Sequence, residues 1–120
     1  MKCELSKIFR FEAAHDLPNF PDGHKCRRLH GHSFVIEVHV VGDVDPHTGC
    51  VVDFGDLGRV VKPYIDQLDH RYLNDIAGLE NPTSENLAIW IWNRIVDQLP
   101  GLDSVEVRET CTTRCIYRGA

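Results

Sequence analysis

Apolar and polar residues alternate through the first stretch of the chain. Cys3, Leu5, Phe9, Phe11 and Ala13 hold odd positions, while Lys2, Glu4, Ser6, Arg10 and Glu12 hold even ones. A period of two marks a strand with one face on a core. Lys7 and Ile8 break the alternation, so a bulge or an imperfect face is expected there. Asp16 to Leu29 contains Pro18, Pro21, Asp22 and Gly23 and reads as a loop. A second strand is expected from His30 to about Val41, with His30, His32, Phe34, Ile36, Val38 and Val40 on one face and Ser33, Glu37 and His39 on the other. The segment Gly42 to Gly49 carries turn residues.

After Asp53 the period changes. Leu57, Val60, Val61, Tyr64, Ile65 and Leu68 fall on one face of a helix, with Pro63 predicting a kink or an early end. A second helix is expected to begin near Pro82-Thr83-Ser84-Glu85 and to stop at Pro100-Gly101. Ala88, Ile91, Trp92, Ile95 and Leu99 form its stripe. Ile89 and Trp90 widen that stripe, either because the helix is wedged in the core or because it meets another subunit. Ser104 to Thr110 reads as a third strand, with Val105, Val107 and Glu109 on one face, and Cys115 to Arg118 as a short fourth. Strands and helices are segregated, which predicts an α+β fold: an antiparallel sheet backed by two helices, in one domain over residues 1–120.

Composition narrows the possibilities without redirecting them. The chain has 120 residues, 13 basic and 18 acidic side chains and a formal charge of -5. That balance argues against non-specific binding to nucleic acid or membranes. No apolar run nears the roughly 20 residues needed to span a bilayer, and the N-terminus lacks a signal-peptide pattern, so a cytoplasmic location is expected. The five cysteines are an odd number, which turns attention from a disulfide framework to thiol or metal chemistry.

His30-Gly31-His32 is the sharpest local feature. Two imidazoles at strand spacing share a face and can bind one metal ion. His15 ends the first strand on its apolar parity, and His30 begins the second. If the strands pair antiparallel, the three histidines meet at one end of the sheet. Three neutral imidazoles with an open fourth position form the ligand set of a catalytic zinc. Alone, H-x-H is also compatible with accident in a chain with seven histidines. Cys26 lies four residues before His30, flanked by Lys25, Arg27 and Arg28, cations that favour a thiolate; a loop cysteine without a task is the plainer reading. Asp69-His70 can act as an oriented acid–base pair, although adjacency alone is a weak signal. Glu109, on an apolar parity, needs a partner: a ligand's N–H groups or a nearby arginine. Cys111 and Cys115 read as two free thiols.

Taken in order, Phe11-Glu12-Ala13-Ala14-His15, Gly23-His24-Lys25-Cys26, Leu29-His30-Gly31-His32-Ser33-Phe34, Val52-Asp53-Phe54, Leu68-Asp69-His70, Leu73-Asn74, Asn81-Pro82-Thr83-Ser84-Glu85-Asn86 and Glu109-Thr110 resemble the 6-pyruvoyltetrahydropterin synthase family. The match is closest to its bacterial branch, which forms 6-carboxytetrahydropterin on the way to queuosine. The resemblance implies the tunnelling fold, in which subunit sheets join into a barrel, typically as a homohexamer with active sites at subunit interfaces. It implies one Zn2+ per subunit on His15, His30 and His32, and a catalytic group of Cys26, Asp69 and His70, the last two reaching a neighbouring subunit's site. It implies that Glu109, assisted by Thr83 and Ser84, anchors the pterin of 7,8-dihydroneopterin triphosphate. The short C-x3-H-G-H spacing, and a cysteine where a third branch has an acidic residue, favour the carboxy-forming lyase. The alternatives are a sibling that stops at the pyruvoyl product and a non-catalytic, zinc-stabilised pterin-binding domain. Lys25, Arg27 and Arg28 are the expected partners of the triphosphate.

Overall fold

In a computed structural model that describes all 120 residues, strands β1 (Lys2–His15) and β2 (His30–Asp43) form one long antiparallel hairpin. Helix α1 (Phe54–Leu68), a two-residue strand β3 (Arg71–Tyr72) and helix α2 (Ser84–Ile95) follow, and then β4 (Leu102–Arg108) and β5 (Cys115–Tyr117). The sheet order is β3-β1-β2-β4-β5. All pairs are antiparallel except β3 on β1. This is the expected α+β architecture with one addition: the strand order now includes the short parallel edge β3.

The register of β1 against β2 runs unbroken from Lys2↔Asp43 to His15↔His30. No bulge forms at Lys7 and Ile8; the face is simply imperfect. Lys7 lies half-buried on the inner parity, its ammonium aimed at the Phe54 carbonyl at 3.5 Å, and Ile8 points to solvent. The one irregularity lies between His39 and Val40, where β2 meets β4. Phe9, Phe11 and Ala13 of β1, Phe34, Ile36, Val38 and Val40 of β2, and Val105 and Val107 of β4 build the sheet side of the core. Leu57, Val61, Ile65 and Leu68 of α1 and Leu87, Ala88, Ile91 and Ile95 of α2 close over it.

Pro63 does not end α1, which continues to Leu68. The proline stands on the exposed side of the helix, so the carbonyl left without its donor can be hydrated. Asp53 caps the helix start by accepting the Gly55 N–H, and Thr83 caps α2 by accepting the Asn86 N–H at 3.1 Å. Trp90 is core within this chain: its indole N–H donates to the Ala77 carbonyl at 3.2 Å, and the Arg94 guanidinium lies 3.6 Å over its ring. Trp92, expected on the buried stripe, is half-buried against Tyr117 of β5, with ring centroids 5.5 Å apart. β4 ends at Arg108, so Glu109 lies just past the strand on which it was expected.

Candidate metal centre and active site

The hairpin register sets His15 directly opposite His30, and His32 follows on the same face of β2. The ring centroids of His15 and His30 are 4.6 Å apart, those of His15 and His32 5.3 Å, and those of His30 and His32 4.9 Å. One ring nitrogen from each lies within 4.8 Å of the others, the span of a single metal ion's ligand sphere. Second partners fix two of the rings. His15 Nδ1 donates to the Pro82 carbonyl at 2.8 Å, and His30 Nδ1 donates to the Arg28 carbonyl at 2.6 Å. A carbonyl only accepts, so each Nδ1 carries a proton, and in the neutral imidazole the free lone pair is then on Nε2. His15 Nε2 is buried without any partner. A buried, orphaned lone pair facing two more imidazoles is the chemistry of a soft-to-borderline cation site, so the residues present fit zinc. Burial holds the His15 imidazole below its ordinary pKa, opposed by its bond to Pro82 and by the charge of Glu109. The neutral form is the one that ligates a metal.

Phe34 forms the floor beneath these rings, edge-on to His15 and His32, each at 5.6 Å. Glu109 comes to the rim, with Oε2 3.8 Å from His32 Nε2. Its partner within the chain is thus a histidine and not an arginine. Glu109 and Ser84 also share the lining of a cavity of about 320 Å3 with Thr113 and Arg114. The Thr83 hydroxyl is engaged in capping α2.

Asp69 closes α1; its Oδ1 accepts the Glu12 N–H at 3.0 Å and lies 3.0 Å from His70 Nδ1. The Glu12 N–H, followed by His70, holds the Asp69 carboxyl below the usual range. His70 adopts a left-handed backbone at φ 58, costly for a residue with a Cβ, and its N–H donates to the Glu12 carbonyl at 2.6 Å. Both main-chain groups of Glu12 are therefore spent on this pair. The largely exposed imidazole lines a cavity of about 540 Å3 together with His32, Glu12, Ser33 and Tyr72.

Cys26 sits in a short 3-10 turn (Lys25–Arg27) that is drawn to the same end of the sheet, because its carbonyl accepts the Leu17 N–H at 2.8 Å. His24, for which the sequence offered no task, caps that turn by accepting the Cys26 N–H at 3.1 Å. Arg27 ties the loop together through the Pro18 and Phe20 carbonyls and Asp22. It is thus a loop staple, which weakens its expected part in phosphate binding. All five cysteines are free thiols.

A family model described as 6-pyruvoyl tetrahydropterin synthase matches residues 4–120. The chain belongs to that family. Its relatives within the 6-pyruvoyl tetrahydropterin synthase family differ in product. A 6-carboxy-5,6,7,8-tetrahydropterin synthase of Synechocystis sp. is 50% identical over 119 residues, covering 94% of this chain and 91% of its own. A dihydroneopterin monophosphate aldolase of Pyrococcus furiosus is 42% identical over 101 residues, covering 84% of this chain and 82% of its own. The 6-pyruvoyl tetrahydropterin synthase structure from Caenorhabditis elegans superposes with a TM-score of 0.91 at 29% identity, covering 100% of this chain and 97% of that one.

Proposed function

We propose that this chain is a zinc-dependent lyase that converts 7,8-dihydroneopterin triphosphate to 6-carboxytetrahydropterin, releasing acetaldehyde and triphosphate, in the pathway to queuosine. The observation that carries the metal-dependent reading is the buried, unpartnered His15 Nε2 beside His30 and His32. The 50% identity to a 6-carboxy-5,6,7,8-tetrahydropterin synthase carries the choice of product.

His15, His30 and His32 would hold the ion, one per subunit. Zinc bound there supplies Lewis-acid polarisation of the substrate's side-chain hydroxyls. Glu109 accepts the pterin N–H groups, and Ser84 lines the same cavity. The Cys26 thiolate removes a proton from the substrate side chain, and His70, oriented by Asp69 at 3.0 Å, carries the complementary transfer. Electrons leaving the side chain reduce the ring, so dihydro- becomes tetrahydropterin without a redox cofactor. The side chain is oxidised in the same process: triphosphate leaves, a water molecule adds to the side-chain carbon next to the ring, and cleavage of the next C–C bond leaves that carbon as the carboxylate and releases the other two as acetaldehyde.

The partner is a small pterin triphosphate, with no nucleic acid or membrane. No helix is long and apolar enough to cross a membrane. The enzyme works in the cytoplasm as a homo-oligomer, read as a hexamer, with active sites at subunit interfaces; the exposed His70 side chain suits service to a neighbour's site. Incubation with 7,8-dihydroneopterin triphosphate and mass analysis of the products tests the assignment. Acetaldehyde with 6-carboxytetrahydropterin is expected. Pyruvoyltetrahydropterin, or turnover of the monophosphate alone, overturns it. Cys26→Ala should stay zinc-loaded and turn over severely slowed; a wild-type protein without turnover would make the chain a pterin-binding domain.

A further inference from the structure

Leu73-Asn74 belongs to the segments that matched the family, yet none of the roles above uses it. Leu73 is core. Asn74 is not packed for its own sake: its side-chain amide bridges two pieces of backbone distant in sequence. Oδ1 accepts the Asp16 N–H at 3.1 Å, and Nδ2 donates to the Asp16 carbonyl at 2.8 Å and the Glu80 carbonyl at 3.3 Å. Asp16 follows His15, and Glu80 stands two residues before Pro82, whose carbonyl orients the His15 ring.

One amide thus holds both ends of the His15 arrangement, the main chain that carries the imidazole and the loop that carries its acceptor. Neighbouring bonds complete the frame. The Tyr72 hydroxyl donates to Asp16 Oδ1, and that carboxylate pushes the phenol up to about 12, so the donor stays protonated across the working range. Asn86 Nδ2 donates to the Asn81 carbonyl at 2.8 Å, steadying the loop beside Pro82. A ligand histidine needs its second nitrogen held in order to present its first, and loss of such an outer partner typically weakens metal binding about 10–100-fold.

We infer that Asn74 is a positioning residue for the metal centre, locking His15 in the tautomer and direction that a divalent zinc ion requires by pinning Asp16 and the Glu80–Pro82 loop to each other. This inference rests on the zinc reading of the three histidines. An acceptor and a donor on one short planar arm are needed, so neither a hydrophobic residue nor a carboxylate can replace the amide. An aspartate keeps the acceptor for the Asp16 N–H but sets a charge against the two carbonyls.

The test measures zinc affinity of the full chain by competition with a chromogenic chelator, alongside denaturant unfolding of the metal-free protein. Asn74→Ala should bind zinc at least about tenfold more weakly. Asn74→Asp should also be weakened, because it loses both donor bonds and sets a charge against the Asp16 and Glu80 carbonyls. Ile95→Val, a core change at the far end of α2, supplies a protein of reduced stability with its zinc affinity unchanged. If Asn74→Ala is too unstable to purify, Asn74→Asp alone decides. Wild-type zinc affinity in the Asn74 variants overturns the inference, and so does an equal loss of affinity in Ile95→Val, because the effect would then be general destabilisation. A wild-type protein that binds no zinc refutes the metal reading itself, a distinct outcome.

Discussion

Phe34 is where the core meets the three-histidine cluster proposed to hold zinc, so replacing it tests both at once. Its ring is fully buried, stacks on Phe11 with centroids 4.9 Å apart and planes within 11°, and stands edge-on to His15 and His32. Phe34→Leu keeps an apolar side chain of nearly the same volume but removes the ring. Aromatic pairs contribute about 0.5–1.5 kcal/mol each beyond the area they bury, and the stacked pair with Phe11 is well formed. Volume-conserving apolar exchanges by themselves cost under about 1.5 kcal/mol. A loss of about 1–2 kcal/mol is expected for the metal-free protein in urea unfolding, at unchanged slope. Zinc affinity should fall as well, because two ligand rings lose the wall that sets their tilt. Ile95→Val, expected to lose about 0.5–1.5 kcal/mol, should leave zinc affinity alone. A Phe34→Leu protein as stable as wild type refutes the packing argument. One that is destabilised yet binds zinc normally refutes the coupling of core to site.

Three more outcomes follow from the geometry. His32→Ala should lose zinc, and metal analysis showing full occupancy would remove that residue from the ligand set. Metal-free protein should lose stability on acidification from about pH 6.5 downward: the buried His15 has a lowered pKa, so below 6.5 the unfolded chain binds a proton that the folded one resists, and the contribution is whole only above that pH. A shallower loss of stability between pH 7 and 5 in His15→Phe than in wild type checks the assignment, and an equal slope in the two would contradict it. Gly101→Ala should destabilise by at least about 1–2 kcal/mol, since the residue sits at φ 87 and an added Cβ would collide with the Val41 carbonyl; an unchanged denaturation midpoint would contradict it.

The hairpin, both helices and the meeting of His15 with His30 were legible because each rests on a periodic pattern or on antiparallel pairing of adjacent strands. β3 was not, because two residues, Arg71 and Tyr72, are too few to show a period, and their parallel pairing to Ala13 and Ala14 follows from where α1 ends. Trp90 left two readings open, and the structure selects the core one, because the loop carrying Ala77 and Gly78 covers its second side. The expectation for Glu109 failed in detail, since strand parity says nothing of a side chain beyond the strand's end. The role of the Pro82 carbonyl had no signal beyond Pro82's place in a matched segment: every residue has a carbonyl, and only the fold selects this one. Asn74 left a faint trace as part of a matched segment.

β1 explains why the three-histidine cluster and the Asp69–His70 pair lie so near each other. Alternation sends its odd side chains into the core, and His15 is the last of that series after Phe9, Phe11 and Ala13. The three histidines are therefore an extension of the hydrophobic face, and the burial that lowers the His15 pKa is the same burial that stabilises the hairpin. Glu12, three residues earlier, gives its main-chain N–H to Asp69 and its carbonyl to His70. One extended segment thus fixes His15 through its side-chain parity and His70 through its backbone. Strand geometry sets the spacing between the two at about 3.3 Å per residue. A slip of one residue in the register would turn His15 out of the core while exposing Phe9 and Phe11. The energy that keeps the aromatic residues buried is therefore also what keeps the three histidines convergent.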